Sequence, residues 1–158
     1  NVQVKRVGRF DVQKANALNI PKKLWSILQK QQSVEFEGKT YTSDMVLGSP
    51  RKGIKVSYCT DTRPTKELPA FVENSDLFIC EGMYGEKDKI QKAKEYKHMM
   101  FTEAAEIAKK ANVNEMWLTH FSPAMPFPEE FLPSAKEIFE NTHIGKDRKN
   151  VTLLFEED

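Results

Sequence analysis

The stretch Leu77–Gly82 (LFICEG) consists of four apolar residues followed by a glutamate and a glycine. An apolar run of this length, without alternation, is typical of a strand that is covered on both faces. Ile54–Cys59 and Met116–Thr119 have a similar pattern, and each is followed by polar residues. Helical patterns lie between and after these runs, the clearest at 101–111, so the sequence predicts an α/β fold with a sheet covered by helices.

The flanking regions predict smaller elements. Residues 2–7 alternate apolar and polar residues, as edge strands do. Residues 11–31 contain two helical stretches, and Asp11 is suited to cap the first of them. Residues 34–41 predict a hairpin with a turn around a glycine, and Val151–Phe155 predicts a last strand.

The composition sets limits on the kind of protein. The chain has 158 residues, for which one domain over 1–158 is the expectation, and its net charge of +1 disfavours a globally basic nucleic-acid-binding domain. No apolar run is long enough for a membrane span. The chain has two cysteines, Cys59 and Cys80, which is too few for a disulfide scaffold. Two buried free thiols favour a reducing, cytoplasmic location.

The residues that follow the apolar strands are candidates for chemistry. Asp61, Glu81 and His120 each come at or just after the end of one strand, and His98 stands just before a predicted helix. Loops at the carboxyl ends of strands in α/β sheets converge on one crevice, so we expect these four side chains to form one site.

Each of these residues also has an ordinary structural interpretation. Asp61 can be a turn former or a helix cap, and Glu81 can be a turn carboxylate before a glycine. His98 can be a loop histidine, and His120 can be a core histidine with a satisfied hydrogen bond. The residues taken singly leave these alternatives open.

Six segments taken together resemble one enzyme family. In their order and content they are similar to the C-terminal half of ribonuclease Z, the endonuclease that processes the 3′ ends of tRNA and has the metallo-β-lactamase fold. The similar segments are GRFDVQKANALNIP (8–21), LGSPRKG (47–53), SYCTDTRP (57–64), CEGMYGE (80–86), residues 96–105 and LTHFSP (118–123).

The resemblance implies a fold and a set of residue roles. The fold would be the C-terminal half of an αββα sandwich, with a mixed sheet covered by helices. Asp61 matches the aspartate that bridges two zinc ions, and His120 matches the last histidine ligand. Glu81 and His98 match the acidic residue and the histidine beside the metals, where the histidine helps to protonate the leaving 3′-oxygen. A carboxylate that contacts the outer nitrogen of a histidine fixes its tautomer, so the resemblance predicts that Glu81 and His98 form such a pair. The RNA contacts expected from the resemblance are Arg51, Lys52 and Arg63.

The sequence departs from the family in one large respect. The family's histidine-rich box belongs to its first half, and this chain has no histidine before His98. We therefore expect the chain to be half of a larger domain, without the N-terminal histidine-box half and without the tRNA-binding arm. The resemblance implies that the chain is a portion of a zinc-dependent endoribonuclease that removes 3′ trailers from precursor tRNA, and the chain alone is expected to be inactive. The alternatives are a non-catalytic half-fold that acts as an interaction or assembly module, and another metallo-β-lactamase-fold hydrolase.

The apolar strands also predict how the chain assembles. Helices such as 101–111 cover one face of the sheet, and a bare opposite face would exceed the apolar patch that soluble monomers tolerate. We expect a homodimer formed through this face. The alternative is that residues 1–46 fold back and cover it.

Overall fold

The computed structural model describes residues 1–156. The strands are β1 (Val2–Arg6), β2 (Ser33–Phe36), β3 (Lys39–Thr42), β4 (Arg51–Cys59), β5 (Leu77–Glu81), β6 (Glu115–Thr119) and β7 (Thr142–Ile144). The helices are α1 (Val12–Ala17), α2 (Lys22–Leu28), α3 (Leu68–Val72), α4 (Ile90–Tyr96), α5 (Phe101–Lys110) and α6 (Leu132–Lys136). Short 3-10 turns occupy Ser43–Met45, Lys87–Lys89 and Pro128–Phe131.

The chain divides into two compact units. Lys5–Gly53 forms the smaller unit, and Asn1–Val4 with the chain from Ile54 onward forms the larger unit. The expectation that residues 1–158 are half of one larger domain stays a prediction.

The larger unit is built on a five-stranded sheet in the order β1-β4-β5-β6-β7. The neighbours from β4 to β7 are parallel, and the register pairs Cys59 with Cys80 and Glu81 with Thr119. Because parallel strands end at the same edge of a sheet, the residues that follow β4, β5 and β6 are brought close together. The α/β class predicted from the apolar runs is confirmed.

One face of this sheet packs against α3, α5 and α6. Phe78, Phe101, Met116 and Leu118 are fully buried in this core. Four apolar positions of α5 besides Phe101 are buried, and three of them are alanines, which let the helix approach the sheet closely. Burial of this kind is the main source of the unit's stability.

The smaller unit has its own core and turn chemistry. Leu24 and Leu28 of α2 pack with Val46, and Asp11 caps α1 by accepting the Lys14 N–H at 3.0 Å. The hairpin β2–β3 turns through Glu37-Gly38, whose φ angles are 51° and 74°. Positive φ at both turn residues fits the twist of a two-residue hairpin, so the predicted hairpin is confirmed. The hydrogen bond from Lys14 to Asp11 confirms the predicted cap.

The strand predicted at Val151–Phe155 is wrong. This segment has no regular structure and exposes Leu154 by 79%, whereas Thr142–Ile144 pairs with β6. The segment 142–144 has a weak apolar pattern, and its strand is set by pairing, with the Gly145 N–H donating to the Leu118 carbonyl at 2.7 Å. A short run of apolar residues predicts a strand only where a partner edge is within reach.

In the described part of the chain, the helices are all too short or too polar to cross a bilayer.

Candidate metal and catalytic site

The predicted site residues meet at the carboxyl edge of the sheet in the larger unit. Asp61 lies in the loop after β4, Glu81 ends β5, and His120 directly follows β6. His98 lies between α4 and α5 and reaches the same place. The parallel order of the strands therefore produces the convergence that the sequence predicts.

Asp61, His98 and His120 form a group of candidate metal ligands. The Asp61 Oδ1 lies 2.7 Å from the His120 Nε2 and 3.9 Å from the His98 Nδ1. The two imidazole rings have centroids 5.4 Å apart. One ligand atom from each of the three residues lies within 4.8 Å of the others. One carboxylate and two imidazoles are a donor set that suits zinc, so these residues fit part of a zinc site.

The backbone at this group adopts a conformation that is uncommon outside glycine. Asp61 has a φ of 51° and His120 a φ of 56°. Such left-handed residues cost free energy and persist where the surrounding structure fixes them, which is common at functional sites. Their side chains are accessible, with 64% of Asp61 and 40% of His120 exposed, so His120 is not a core histidine.

Glu81 is completely buried beneath these residues. One carboxylate oxygen accepts the Thr62 N–H, and the other lies 3.0 Å from both the His98 Nδ1 and the Met99 N–H. If Glu81 is the acceptor in this contact, the His98 Nδ1 is the donor. Glu81 thus orients the His98 ring, and its full burial is not that of a turn carboxylate at the surface.

Arg63 makes contacts that the sequence analysis missed. Its guanidinium forms a two-pronged ion pair with the Glu103 carboxylate, and its Nη1 donates to the His98 carbonyl at 2.6 Å. Glu103 also accepts the Met100 N–H at 2.9 Å, which caps α5. No spacing rule links Arg63 to Glu103, because they are 40 residues apart.

Two other predicted residues belong to the smaller unit. Arg51 and Lys52 begin β4, and the Arg51 Nε donates to the Val7 carbonyl at 3.0 Å. Their expected contact with RNA stays a prediction, as does that of Arg63. The third histidine, His143, lies outside the candidate group and contacts Asn141 at 2.9 Å.

Two thiols near the site have raised pKa values; Cys80 is buried as expected, whereas Cys59 is only partly buried. Burial raises the pKa of the Cys59 thiol, and the nearby Glu81 carboxylate raises it further. Burial also raises the pKa of Cys80 well above its usual value. Both thiols are free, and their raised pKa values make them poor nucleophiles near neutral pH.

Comparison with known proteins identifies related chains. The Beta-lactamase superfamily domain matches residues 11–121. The ribonuclease Z of Agathobacter rectalis is 58% identical over 158 residues, which are 100% of this chain and 52% of that protein. The ribonuclease Z of Clostridium acetobutylicum is also 58% identical, over 99% of this chain and 50% of that protein. The chain thus spans about half the length of the curated relatives it matches.

Solved structures agree on the fold. The metallo-beta-lactamase fold protein YhfI from Bacillus subtilis is 31% identical and superposes with a TM-score of 0.51, covering 58% of this chain and 37% of that chain. Human tRNase Z, short form, has the same TM-score at 17% identity and covers 73% of this chain and 37% of that chain. At that identity the human protein supports the fold alone.

Proposed function

We propose that this chain, which belongs to the beta-lactamase superfamily, is half of a zinc-dependent ribonuclease Z that removes 3′ trailers from precursor tRNA. The observation that carries the proposal is the meeting of Asp61, His98 and His120 above the buried Glu81. The identity of 58% to about half the length of two curated ribonucleases Z supports it.

The proposed roles follow from the side-chain chemistry. Asp61, with two carboxylate oxygens, would bridge two zinc ions, and His120 would be a ligand of one of them. Bound zinc lowers the pKa of a coordinated water and neutralises charge on the phosphate under attack. These two residues supply only part of the ligands that two zinc ions require.

His98 is proposed as the acid of the reaction. Hydrolysis forms a bond from the water oxygen to phosphorus, breaks the bond from phosphorus to the 3′-oxygen, and releases one proton of the attacking water to the solvent. The leaving 3′-oxygen takes a proton from the His98 imidazole and becomes a hydroxyl group. Glu81, whose carboxylate oxygen lies 3.0 Å from the His98 Nδ1, stabilises the protonated ring and holds its orientation. Arg51 and Lys52 are proposed to contact the RNA, and so is the 25% of the Arg63 side chain that remains exposed beside its bonds to Glu103 and the His98 carbonyl.

The test compares the 158-residue chain with the product of the open reading frame that contains it. Zinc content is measured after dialysis, and cleavage is measured on a precursor tRNA with a 3′ trailer. We expect the 158-residue chain to retain fewer than two zinc ions and to cleave nothing. We expect the product of the reading frame to cleave and its Asp61→Ala variant to lose zinc and activity.

Variants of single histidines separate the roles in that longer protein. His98→Asn is expected to keep zinc, because the proposed ligands are Asp61 and His120 and the His98 Nδ1 contacts Glu81. It is expected to cleave about 10²–10⁴-fold more slowly, the usual contribution of a general acid. His143→Asn is the matched control, and we expect wild-type activity because His143 lies outside the candidate group. An equal decrease in the cleavage rate of both variants would contradict the proposal, and so would a wild-type cleavage rate of His98→Asn.

We also propose that the isolated chain forms a homodimer. We propose separately that the protein is located in the cytoplasm. Val2 of β1 and Tyr58 of β4 expose 68% and 59% of their surface, and such apolar side chains favour association. The free thiols of Cys59 and Cys80 suit a reducing compartment. Sedimentation equilibrium of the 158-residue chain at micromolar concentration tests the dimer, and a single 18.2 kDa species would refute it.

A further inference from the structure

Two segments that are distant in sequence meet at the site. The first is the loop after β4, which contains Asp61, Thr62 and Arg63, and the second is 98–100, between α4 and α5. Glu81 contacts both of them, since it accepts from the Thr62 N–H on one side and from His98 on the other. A second carboxylate, Glu103, has the same relation to the two segments.

Glu103 joins the segments through Arg63. The Arg63 Nη1 lies 2.7 Å from the Glu103 Oε2, and the same oxygen accepts the Met100 N–H at 2.9 Å. Arg63 also reaches the second segment directly, through its 2.6 Å bond to the carbonyl of His98. The Arg63 side chain therefore binds the backbone of His98, and Arg63 itself follows Asp61 by only two positions in the sequence.

These contacts lie beside a residue with a left-handed backbone. Asp61, two positions before Arg63, has a φ of 51°, whereas the φ of 62° at Lys97 is that of the left-handed cap that ends α4. A left-handed backbone at residues other than glycine persists only when surrounding contacts fix it. The planar fork of arginine makes two parallel bonds to a carboxylate, which lysine cannot do, so the contact fixes direction as well as distance.

We propose that Arg63 is a positioning residue, which together with Glu103 holds the His98 ring in place beside Asp61. Only 25% of the Arg63 side chain and 21% of the Glu103 side chain are exposed, which suits an internal link. Loss of this link leaves Glu81 as the remaining described hydrogen-bonded connection between the loop after β4 and segment 98–100, so the His98 ring is held less firmly against the Glu81 carboxylate. The importance of His98 for catalysis rests on the proposed function, whereas the effect of Arg63 on the ring does not require nuclease activity.

The experiment observes the His98 ring by NMR in the 158-residue chain. The chain has three histidines, at positions 98, 120 and 143, so variants that remove each one assign their imidazole ¹⁵N and ¹H signals. Wild-type His98 is expected to show one tautomer, protonated at Nδ1, with a slowly exchanging proton. In Arg63→Met we expect that proton signal to be lost and the ring signals to shift or broaden.

A matched control separates this effect from the general loss of an ion pair. Glu129→Gln removes the pair with Lys146, whose charged atoms are 2.7 Å apart, and we expect the His98 signals to stay at their wild-type positions. A merely structural Arg63 would lower the melting temperature and leave the ring signals of the folded protein unchanged. That result in Arg63→Met overturns the proposal.

A second variant decides the matter if Arg63→Met does not fold. Arg63→Lys keeps the charge but cannot make both bonds to Glu103 and also reach the His98 carbonyl. We expect its His98 ring to lose the single Nδ1 tautomer in part. An unchanged ring in folded Arg63→Lys would overturn the proposal, and cleavage measurements in the longer protein would still test the proposed function separately.

Discussion

Replacement of Glu81 by glutamine probes the buried centre of the site. The wild-type carboxylate accepts from the Thr62 N–H, the Met99 N–H and the His98 Nδ1 and is 0% exposed. Glutamine has the same size but offers one oxygen, so its NH₂ group must face at least one buried donor. The variant therefore loses hydrogen bonds without changing the volume of the core.

The magnitude follows from these three contacts. A hydrogen bond to a charged group contributes about 1.5–3 kcal/mol and a neutral one about 0.5–1.5 kcal/mol, so two weakened bonds cost about 2 kcal/mol. One buried N–H without a partner adds about 2 kcal/mol. We expect Glu81→Gln to lower the free energy of unfolding by about 4 kcal/mol, and the melting temperature of a chain of this size by about 10 °C.

Urea denaturation followed by circular dichroism measures this loss. The control is Glu129→Gln, which removes an exposed carboxylate paired with Lys146, and we expect it to unfold at the wild-type urea concentration. A free energy of unfolding of Glu81→Gln within about 1 kcal/mol of wild type would refute the reasoning, since it would mean that the three contacts contribute almost nothing.

Two further predictions concern the thiols and one glycine. Because burial and the Glu81 charge raise the pKa of Cys59, its thiolate fraction at pH 8 is low, and alkylation measured by mass spectrometry should be slower than that of a free cysteine and should accelerate as the pH rises. In folded Glu81→Gln the rate at Cys59 should increase, since the negative charge is gone, and an unchanged rate would contradict this cause. Gly85→Ala would place a Cβ 2.3 Å from the Phe131 Cβ, so we expect a loss of about 1–3 kcal/mol by urea denaturation. Gly48→Ala meets nothing closer than 3.5 Å and serves as its control; equal stability of the two variants would contradict the packing argument.

Much of the fold and part of the site could be predicted from the sequence. The runs at 77–80 and 116–118 lie in strands, and their consecutive apolar residues need cover on both faces. Since parallel strands end at one edge, the residues after them had to meet, which placed Asp61, Glu81 and His120 together. The hairpin at Glu37-Gly38 and the Asp11 cap were equally local, because each depends on residues within four positions.

Other features were decided by tertiary structure alone. The contact of His98 with Glu81 was expected only from the resemblance, because no local pattern predicts it and it depends on how the chain between them folds. The Arg63–Glu103 pair, 40 residues apart, has no local signal, because any basic and acidic residue can pair once the fold brings them together. The strand at Thr142–Ile144 formed in place of Val151–Phe155 because the free edge of β6 selects its partner by position. Local patterns thus determined the helices and strands and which residues follow the strands. The contacts that orient the side chains arose only from packing between residues that are distant in the sequence.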